Sequence, residues 1–348
     1  MTTFLQLHLL TAYPPSNLNR DDTGRPKTAR FGGSERLRIS SQSLKRAFRT
    51  SEVFAQHIGD HIGTRTKRMG EEVFKRLVAA GWKENKATDQ ARAIAGQFGE
   101  LESEKDEKRR LLTRQLAHLS PEEIAAVDSL VDRLIAGEEL DEDALKVLTG
   151  DHKAADIGMF GRMLAADPLY NRDAAVQVAH AITTNRVIVE DDYFTAVDDL
   201  NRGDEDRGAG HVGEAEFGAG VFYLYICIDQ DLLARNLGGD KTLASASRTA
   251  LVEAAATVAP RGKQASFASR AHASYILVER GDRQPRSLAA AFLDAVPAGD
   301  HVMLSIDRLR DTRKKFDDAY GVVDETAVEM SVPEGKGTLA EVLEYVGR

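Results

Sequence analysis

A single cysteine, Cys227, stands among the 348 residues. That excludes an intrachain disulfide and any zinc site built from several thiolates. No run of about 18 apolar residues is present, so the sequence offers no membrane span. The N-terminal stretch MTTFLQLHLLTAYPP has no basic lead-in and its apolar run is short and interrupted. It reads as a strand, not a secretory signal. These absences together fit a reducing cytoplasm. Catalytic signatures are missing too. The chain has no GK[ST] phosphate loop, no strand–GxGxxG–helix context, no HExxH and no GxSxG elbow. His57 and His61 have helical metal-pair spacing, but no third ligand accompanies them, so neither a metal nor a cofactor is expected. His180 lies near Asp198 in sequence without a nucleophile to serve. Cys227 alternates into an apolar strand and reads as a core residue.

What is present is a chain able to bury a sizeable core, with 42% hydrophobic and 29% charged residues. Its length fits two domains, or one large domain with an insertion. Basic residues number 46 and acidic ones 55, for a net charge of −9. The balance is uneven. From Arg20 to Arg49 there are nine Lys or Arg and three Asp or Glu, a local +6 that leaves −15 elsewhere. Charge segregated in this way is the expected footprint of polyanion binding, against the simpler reading of a solvated helix beside a polar loop; the acidic total argues weakly against a nucleic-acid binder.

Before this basic island, Thr3–Leu10 reads as a strand in which Leu5, Leu7 and Leu9 alternate with Gln6 and His8. Asn19–Ser34 reads as a long polar loop. Ser40 or Ser41 caps a helix expected to run to about Ile58. At 100° per residue, Gln42, Lys45, Arg46 and Arg49 share one face, and Leu44, Ala47 and Phe48 the other. Arg20, Lys27, Arg30, Arg38, Lys45, Arg46 and Arg49 are therefore the candidate phosphate ligands. Backbone N–H groups at Ser40–Ser43 add an anion site at the helix start.

Residues 60–180 read as mostly helical, with Ser120-Pro121-Glu122-Glu123 a helix start and Leu101–Arg114 a solvated helix. From about 181 the character turns to β. Thr183–Val189, Val221–Asp229 and Ser274–Glu279 read as strands, with helices at Leu243–Val258 and Leu288–Val296. Ala196–Ala219 is a polar excursion with five glycines. The order indicates an α+β core interrupted by a helical insertion. Ahead of the excursion, Tyr193-Phe194-Thr195 could stack on bases or simply plug the core. Asp21-Asp22, Asp191-Asp192, Asp198-Asp199 and Asp317-Asp318 are paired acids. Asp21-Asp22, beside basic residues, is the best candidate to hold Mg²⁺ for phosphodiester cleavage, against the simpler reading of loop and cap acids.

Several long motifs resemble one family. SNLNRDD at Ser16–Asp22, FGGSERLRISSQSLKRAFR at Phe31–Arg49, AHAITTNRV at Ala179–Val187, YFTAVDDL at Tyr193–Leu200 and FGAGVFY at Phe217–Tyr223 resemble the CasC-type backbone subunits of the type I-E CRISPR Cascade complex. The resemblance spans almost the whole chain and is weak from about 64 to 155. It implies a modified RRM-like (ferredoxin-like) palm over 1–59 and 181–348, a helical fingers insertion over 60–180, and a β-hairpin thumb at about 190–220. It implies a noncatalytic scaffold that stacks in copies along a guide RNA (crRNA), grips its backbone and flips out nucleotides at intervals, leaving the rest to pair with a target DNA strand. The partners so implied are neighbouring copies, the 5′-handle-capping subunit, the crRNA-processing endonuclease, the small subunit and the large PAM-reading subunit. Residue by residue, Arg20, Lys27, Ser40, Gln42, Lys45 and Arg49 would hold the backbone. Met163, in Gly161–Met163, would pack near the bases. Phe194, Thr195 and Val212 would lie at the flipped nucleotide, and Lys263 would add a phosphate contact. Tyr193 replaces a Trp usual in the family, and Val212 a Leu; both keep apolar surface. The competing expectation is a metal-dependent RNA endonuclease using Asp21 or Asp22, as in similar backbone proteins of other CRISPR types.

Overall fold

The computed structural model describes residues 2–141, 143–150, 152–164, 167–196, 211–322 and 326–348. Asp198-Asp199 and most of the Gly-rich excursion lie outside them. In chain order the strands are β1 (Phe4–Ser16), β2 (Thr28–Phe31), β3 (Ser34–Ile39), β4 (Thr64–Thr66), β5 (Ala117–Leu119), β6 (Val176–Val178), β7 (Ala181–Thr183), β8 (Glu190–Ala196), β9 (His211–Asp229), β10 (Tyr275–Gly281) and β11 (Thr326–Ser331). The helices are α1 (Ser41–Arg49), α2 (Glu52–Ile58), α3 (Met69–Ala79), α4 (Glu84–Gly96), α5 (Pro121–Ile135), α6 (Ala155–Phe160), α7 (Gln230–Asn236), α8 (Lys241–Thr257), α9 (Gln264–Phe267), α10 (His301–Tyr320) and α11 (Leu339–Gly347). The class is α+β with a large antiparallel sheet. Among the described residues no helix is long and apolar enough to cross a membrane.

The chain divides into two compact units. One comprises Met1–Phe54, Gln177–Ile228 and Arg248–Arg348, the other Ala55–Val176 and Asp229–Ser247. Asp229–Ser247, expected with the palm, instead belongs to the second unit. Asn236 donates to the carbonyls of Gly158 and Asp173, and Lys153 pairs with Asp240.

The first unit is built on strands in the order β11-β10-β1-β9-β7-β3-β2. β1 lies against β10 with Gln6 opposite Glu279 and His8 opposite Leu277. Leu10, Tyr223, Leu277, Phe292, Ile306 and Leu309 form an apolar layer between the sheet and α10. The alternation in β1 does not mark a solvated face, because Gln6 and His8 are as buried as the leucines. His8 shares hydrogen bonds with the Tyr223 hydroxyl (2.9 Å) and the Glu279 carboxylate (3.0 Å). Glu279 also takes Arg313 (2.8 Å) and Arg286 (3.1 Å). Burial acts to raise the Glu279 carboxyl, but the hydrogen bond from His8 and the charges around it outweigh that and hold it at about 2. Burial lowers His8.

The second unit has its own core, where Leu77 of α3, Ala91 and Ile94 of α4, and Val127, Leu130 and Val131 of α5 meet. α5 begins as the sequence indicates, with Ser120 and Glu123 in a reciprocal capping box. Leu101–Arg114 is not helical. Its ends bond to each other, Glu102 N–H to Leu112 and Arg114 N–H to Glu100, and its charges pair across the loop, as in Arg114–Glu100 (2.6 Å). A run of alternating charge satisfied across a turn has no need of a helix.

Other expectations shift at boundaries. The long polar loop contains the β2–β3 hairpin, whose Gly32-Gly33 turn takes φ of 56° and 76°. Two positive φ angles in a two-residue loop match the right-handed strand twist. The single helix over 41–58 is two, because Ser51 accepts from Phe54 N–H and starts α2. Thr184–Val189 is not strand; the strand here is Ala181–Thr183, which pairs with β3 and β9. Leu288–Val296 holds one 3₁₀ turn, Ala289–Phe292.

Candidate nucleic-acid interface

α1 forms because SQSLKRAFR has no β-branched residue, no Gly and no Pro, and its start is capped. Ser40 Oγ accepts from Ser43 N–H (3.3 Å), and Ser40 N–H donates to Asn19 Oδ1 (2.8 Å). This cap ties the helix to the preceding loop. Leu44, Ala47 and Phe48 are buried, while Gln42 and Arg46 are exposed and Lys45 and Arg49 half-buried on the outer side. Partial burial lowers the Lys45 ammonium from its ordinary value. The helix contains no acidic residue, so every charged side chain it carries is basic.

The loop before β2 is a closed turn. Asp21 Oδ1 accepts from Thr23 N–H (2.9 Å), Thr23 Oγ1 (2.8 Å) and Arg25 N–H (3.0 Å). Hydrogen bonding, led by the Thr23 hydroxyl, lowers the Asp21 carboxyl. Lys27 N–H returns to the Asn19 carbonyl (2.8 Å), so Arg20 and Lys27 stand on adjoining sides of one turn. Asn17 Nδ2 donates to the carbonyls of Gly24 (3.0 Å) and Glu216 (2.9 Å), fastening the turn to β9. Lys263 also belongs here. A Cβ on its neighbour Gly262 would fall 2.3 Å from the Leu18 carbonyl oxygen, so 262–263 lies against the base of the loop. Lys263 itself adopts left-handed φ of 48°.

Of the nine basic residues, one is committed to the interior and one to a surface ion pair. Arg36 is fully buried, and its guanidinium donates to the carbonyls of Thr183 (2.8 Å), Thr184 (2.7 Å) and Phe292 (2.9 Å). Arg25 pairs with Glu216 (2.7 Å). The other seven basic residues of the island are Arg20, Lys27, Arg30, Arg38, Lys45, Arg46 and Arg49. Arg38 Nη1 lies 3.0 Å from His180 Nδ1, and burial, with Arg38 and Lys27 adding to it, lowers that imidazole. Two adjoining grooves run beside the hairpin. One, of about 790 Å³, is lined by Arg25, Arg30, Glu35, Arg186 and Ile188 among others; the second, of about 350 Å³, by Lys27, Arg38 and Asp21.

The paired aromatics lie on a hairpin of β8 with the outer half of β9, not in the core. Tyr193 is opposite Glu214, Phe194 opposite Gly213 and Thr195 opposite Val212. Tyr193 is 69% exposed and Phe194 45% exposed. The side chain of Val212 lies outside what the structure describes. Glu216, where the basic turn attaches, is three residues along β9 from Gly213, or about 10 Å at strand rise. The first unit thus carries the basic turn and the exposed aromatics on adjoining elements. Met163 belongs to the second unit. Its neighbour Arg162 is buried against Glu123 (2.7 Å), and Met163 itself is 79% exposed.

Sequence reasoning passed over Asn17, Asn19, Arg186 and Gly213. Asn17 and Asn19 act through hydrogen bonds to residues far along the chain, which spacing does not reveal. Arg186 was absorbed into an expected strand, although it lies in the TTNRV run. Among the described residues no group of three or more His, Cys, Asp or Glu side chains converges to hold a metal ion. Asp317 is an ion-pair partner of Arg286 (2.7 Å).

Residues 5–343 match the Cas_CT1975 family of CT1975-like proteins. No curated protein matches the chain. Among solved structures, it is similar to a chain of a CRISPR RNA-guided surveillance complex, pre-nicking, at 30% identity over 99% of each chain with a TM-score of 0.85. It is also similar to a chain of a second CRISPR RNA-guided surveillance complex at 27% identity, over 97% of this chain and 94% of that one, with a TM-score of 0.73.

Proposed function

The chain belongs to the Cas_CT1975 family of CT1975-like proteins, and from that premise we propose that it is a guide-RNA-binding subunit of a CRISPR RNA-guided surveillance complex. Its partners are the crRNA and the other subunits of such a complex. The finer reading is a CasC-type backbone subunit of a type I-E Cascade. In that reading the first unit is an RRM-like palm carrying a thumb, β8 with outer β9, and the second unit supplies the fingers. Copies line up along the guide, each holding backbone phosphates and displacing a nucleotide at the thumb.

The observation that carries this reading is the acid-free basic face of α1, continuous through the Ser40–Asn19 bond with the turn bearing Arg20 and Lys27. A guide must be held whatever its sequence, so phosphate contacts should dominate over base contacts. The turn is fastened to the strand that bears the hairpin, which couples backbone grip to the aromatic. The subunit is a scaffold, with no chemical step assigned to it. Asp21 spends one carboxylate oxygen on three donors of its own turn, so the endonuclease alternative gains no support from it.

The test is purification of the chain with guide RNA, with absorbance at 260 and 280 nm and sizing at low and high salt. Expected are RNA in a large assembly and loss of both as salt rises, with a slope of log K on log salt down to about −5 per copy if all seven basic residues meet phosphates. A salt-insensitive monomer that ignores added guide RNA would overturn the reading. RNA fragments that appear with Mg²⁺ and vanish in Asp22→Ala would favour the endonuclease.

A further inference from the structure

We propose that Gly213 is a positioning residue that seats Phe194 as a one-faced stacking platform for a single unpaired base. The inference rests on the guide-RNA reading above and deepens it. In an antiparallel pair, side chains of directly opposed residues project from the same face, a few ångströms apart. Phe194 and Gly213 are such a pair. A Cβ on Gly213 would fall 2.3 Å from Cζ of the Phe194 ring and 2.7 and 2.8 Å from its two Cε atoms. The three distances differ little, which places that Cβ over the face of the ring. A position beyond the ring's edge would leave both Cε atoms much farther away than Cζ. The ring therefore lies across the partner strand with one face on the glycine backbone. Any other residue at 213 would have to push it off.

With one face set against the glycine, we assign the 45% exposure of Phe194 to the opposite face. An aromatic with one covered face stacks on one base and cannot fill the gap between two. Base–aromatic stacking tolerates any sequence, because every base has a π-face. Such a platform suits a guide whose bases vary. Because the seat already holds the ring, little side-chain freedom remains to be lost when a base arrives. Tyr193 has no comparable seat. It faces Glu214 and is 69% exposed.

Two measurements on the full chain test this. In the protein without RNA, labelled with ¹³Cα-glycine, the Gly213 Hα signals should lie upfield through the ring current of Phe194, and return to ordinary positions in Phe194→Leu. Absence of the shift overturns the seat. With guide RNAs carrying 2-aminopurine at successive positions, the wild type should show fluorescence maxima where a base is unstacked from its neighbours onto the platform. Gly213→Ala should lower the population held there by roughly fivefold or more, the smallest effect expected for a lost base–aromatic stack. Guide affinity should fall by no more than the lost stacking, while its salt slope, set by the phosphate contacts, should stay as in wild type. In a Phe194→Ala background, Gly213→Ala should change nothing further. Maxima that persist in Gly213→Ala, or a loss of maxima accompanied by a flattened salt slope, would overturn the proposal. A wild type that shows the ring-current shift, binds guide and yet gives no maxima would overturn both this proposal and the thumb part of the reading beneath it. Maxima without the shift would remove the seat alone.

Discussion

Replacing Arg36 separates charge that binds a partner from charge that holds the fold. Its guanidinium is buried and donates to three carbonyls at 2.7–2.9 Å and to a fourth, Leu293, at 3.5 Å. These join β3 to the segment after β7 and to the 3₁₀ turn at Phe292. Hydrogen bonds to a charged donor contribute about 1.5–3 kcal/mol each, so the three good ones give at least about 4–5 kcal/mol. Desolvating the cation takes back part of that, and water entering the Arg36→Met site would satisfy some of the orphaned carbonyls. A net loss of about 3 kcal/mol is expected, in the range seen when a buried polar partner is removed. For a unit of this size that is about 6–12 °C in melting temperature. Calorimetry measures it directly. The second half of the prediction concerns RNA. Arg36 cannot reach a phosphate, so the salt slope of guide binding should not change, whereas Lys45→Ala should flatten it by about 0.7, the value for one single-strand phosphate contact. Melting within about 2 °C of wild type, where a loss of under ~1 kcal/mol would suffice, would refute the structural role. A salt slope altered as in Lys45→Ala would place Arg36 at the interface instead.

The other predictions concern the interface, the buried ion pair of the second unit and the network around Glu279. Lys45→Ala and Arg49→Ala should weaken guides of unrelated sequence equally, as filter binding would report; a guide preference that changed with either would contradict backbone gripping. Removing Arg162 as Arg162→Met takes the buried partner from Glu123, at a cost of about 3–5 kcal/mol, while Glu123→Gln with Arg162→Met together should recover much of it; equal losses in single and double variants would refute the coupling. Glu279 is held at about 2, below its unfolded value, so its stabilisation is complete above about pH 4.5 and is lost as pH falls from there towards 2. The loss amounts to about 3 kcal/mol, and the lowered His8 acts in the same direction from pH 6.5 downward. Urea midpoints of Glu279→Gln should therefore fall less steeply with acid than those of wild type, and parallel curves would show that the carboxylate is not responsible.

Much of the site was legible locally. The two faces of α1 follow from helical period alone, and burial of Leu44, Ala47 and Phe48 with exposure of Gln42 and Arg46 agrees with it. The Ser120 capping box was legible for the same reason, since caps are interactions between residues three apart. Hidden from the sequence were features that depend on distant partners. Gln6 and His8 look like a solvated face until β10, the segment after it and α10 bring Glu279, Arg286 and Arg313 over them. Leu101–Arg114 looks like a helix because its composition is helical, yet its charges are paired across the loop. Beyond Val296, the sequence reading anticipated neither α10, β11 nor α11.

The sequence by itself determined where the positive charge lies, which helix presents it, and that two aromatics precede a Gly-rich stretch. Each is a matter of neighbours within a turn or two of the chain, where spacing is geometry. Tertiary structure alone decided which basic residues are committed to the fold. Arg36 and Arg30 are indistinguishable as letters, yet one is surrounded by carbonyls contributed from residues 183 and 292 and the other faces a groove. It decided equally that Phe194 lies on a glycine nineteen residues later. Strand register, which no local pattern specifies across such a gap, is what brought those two together.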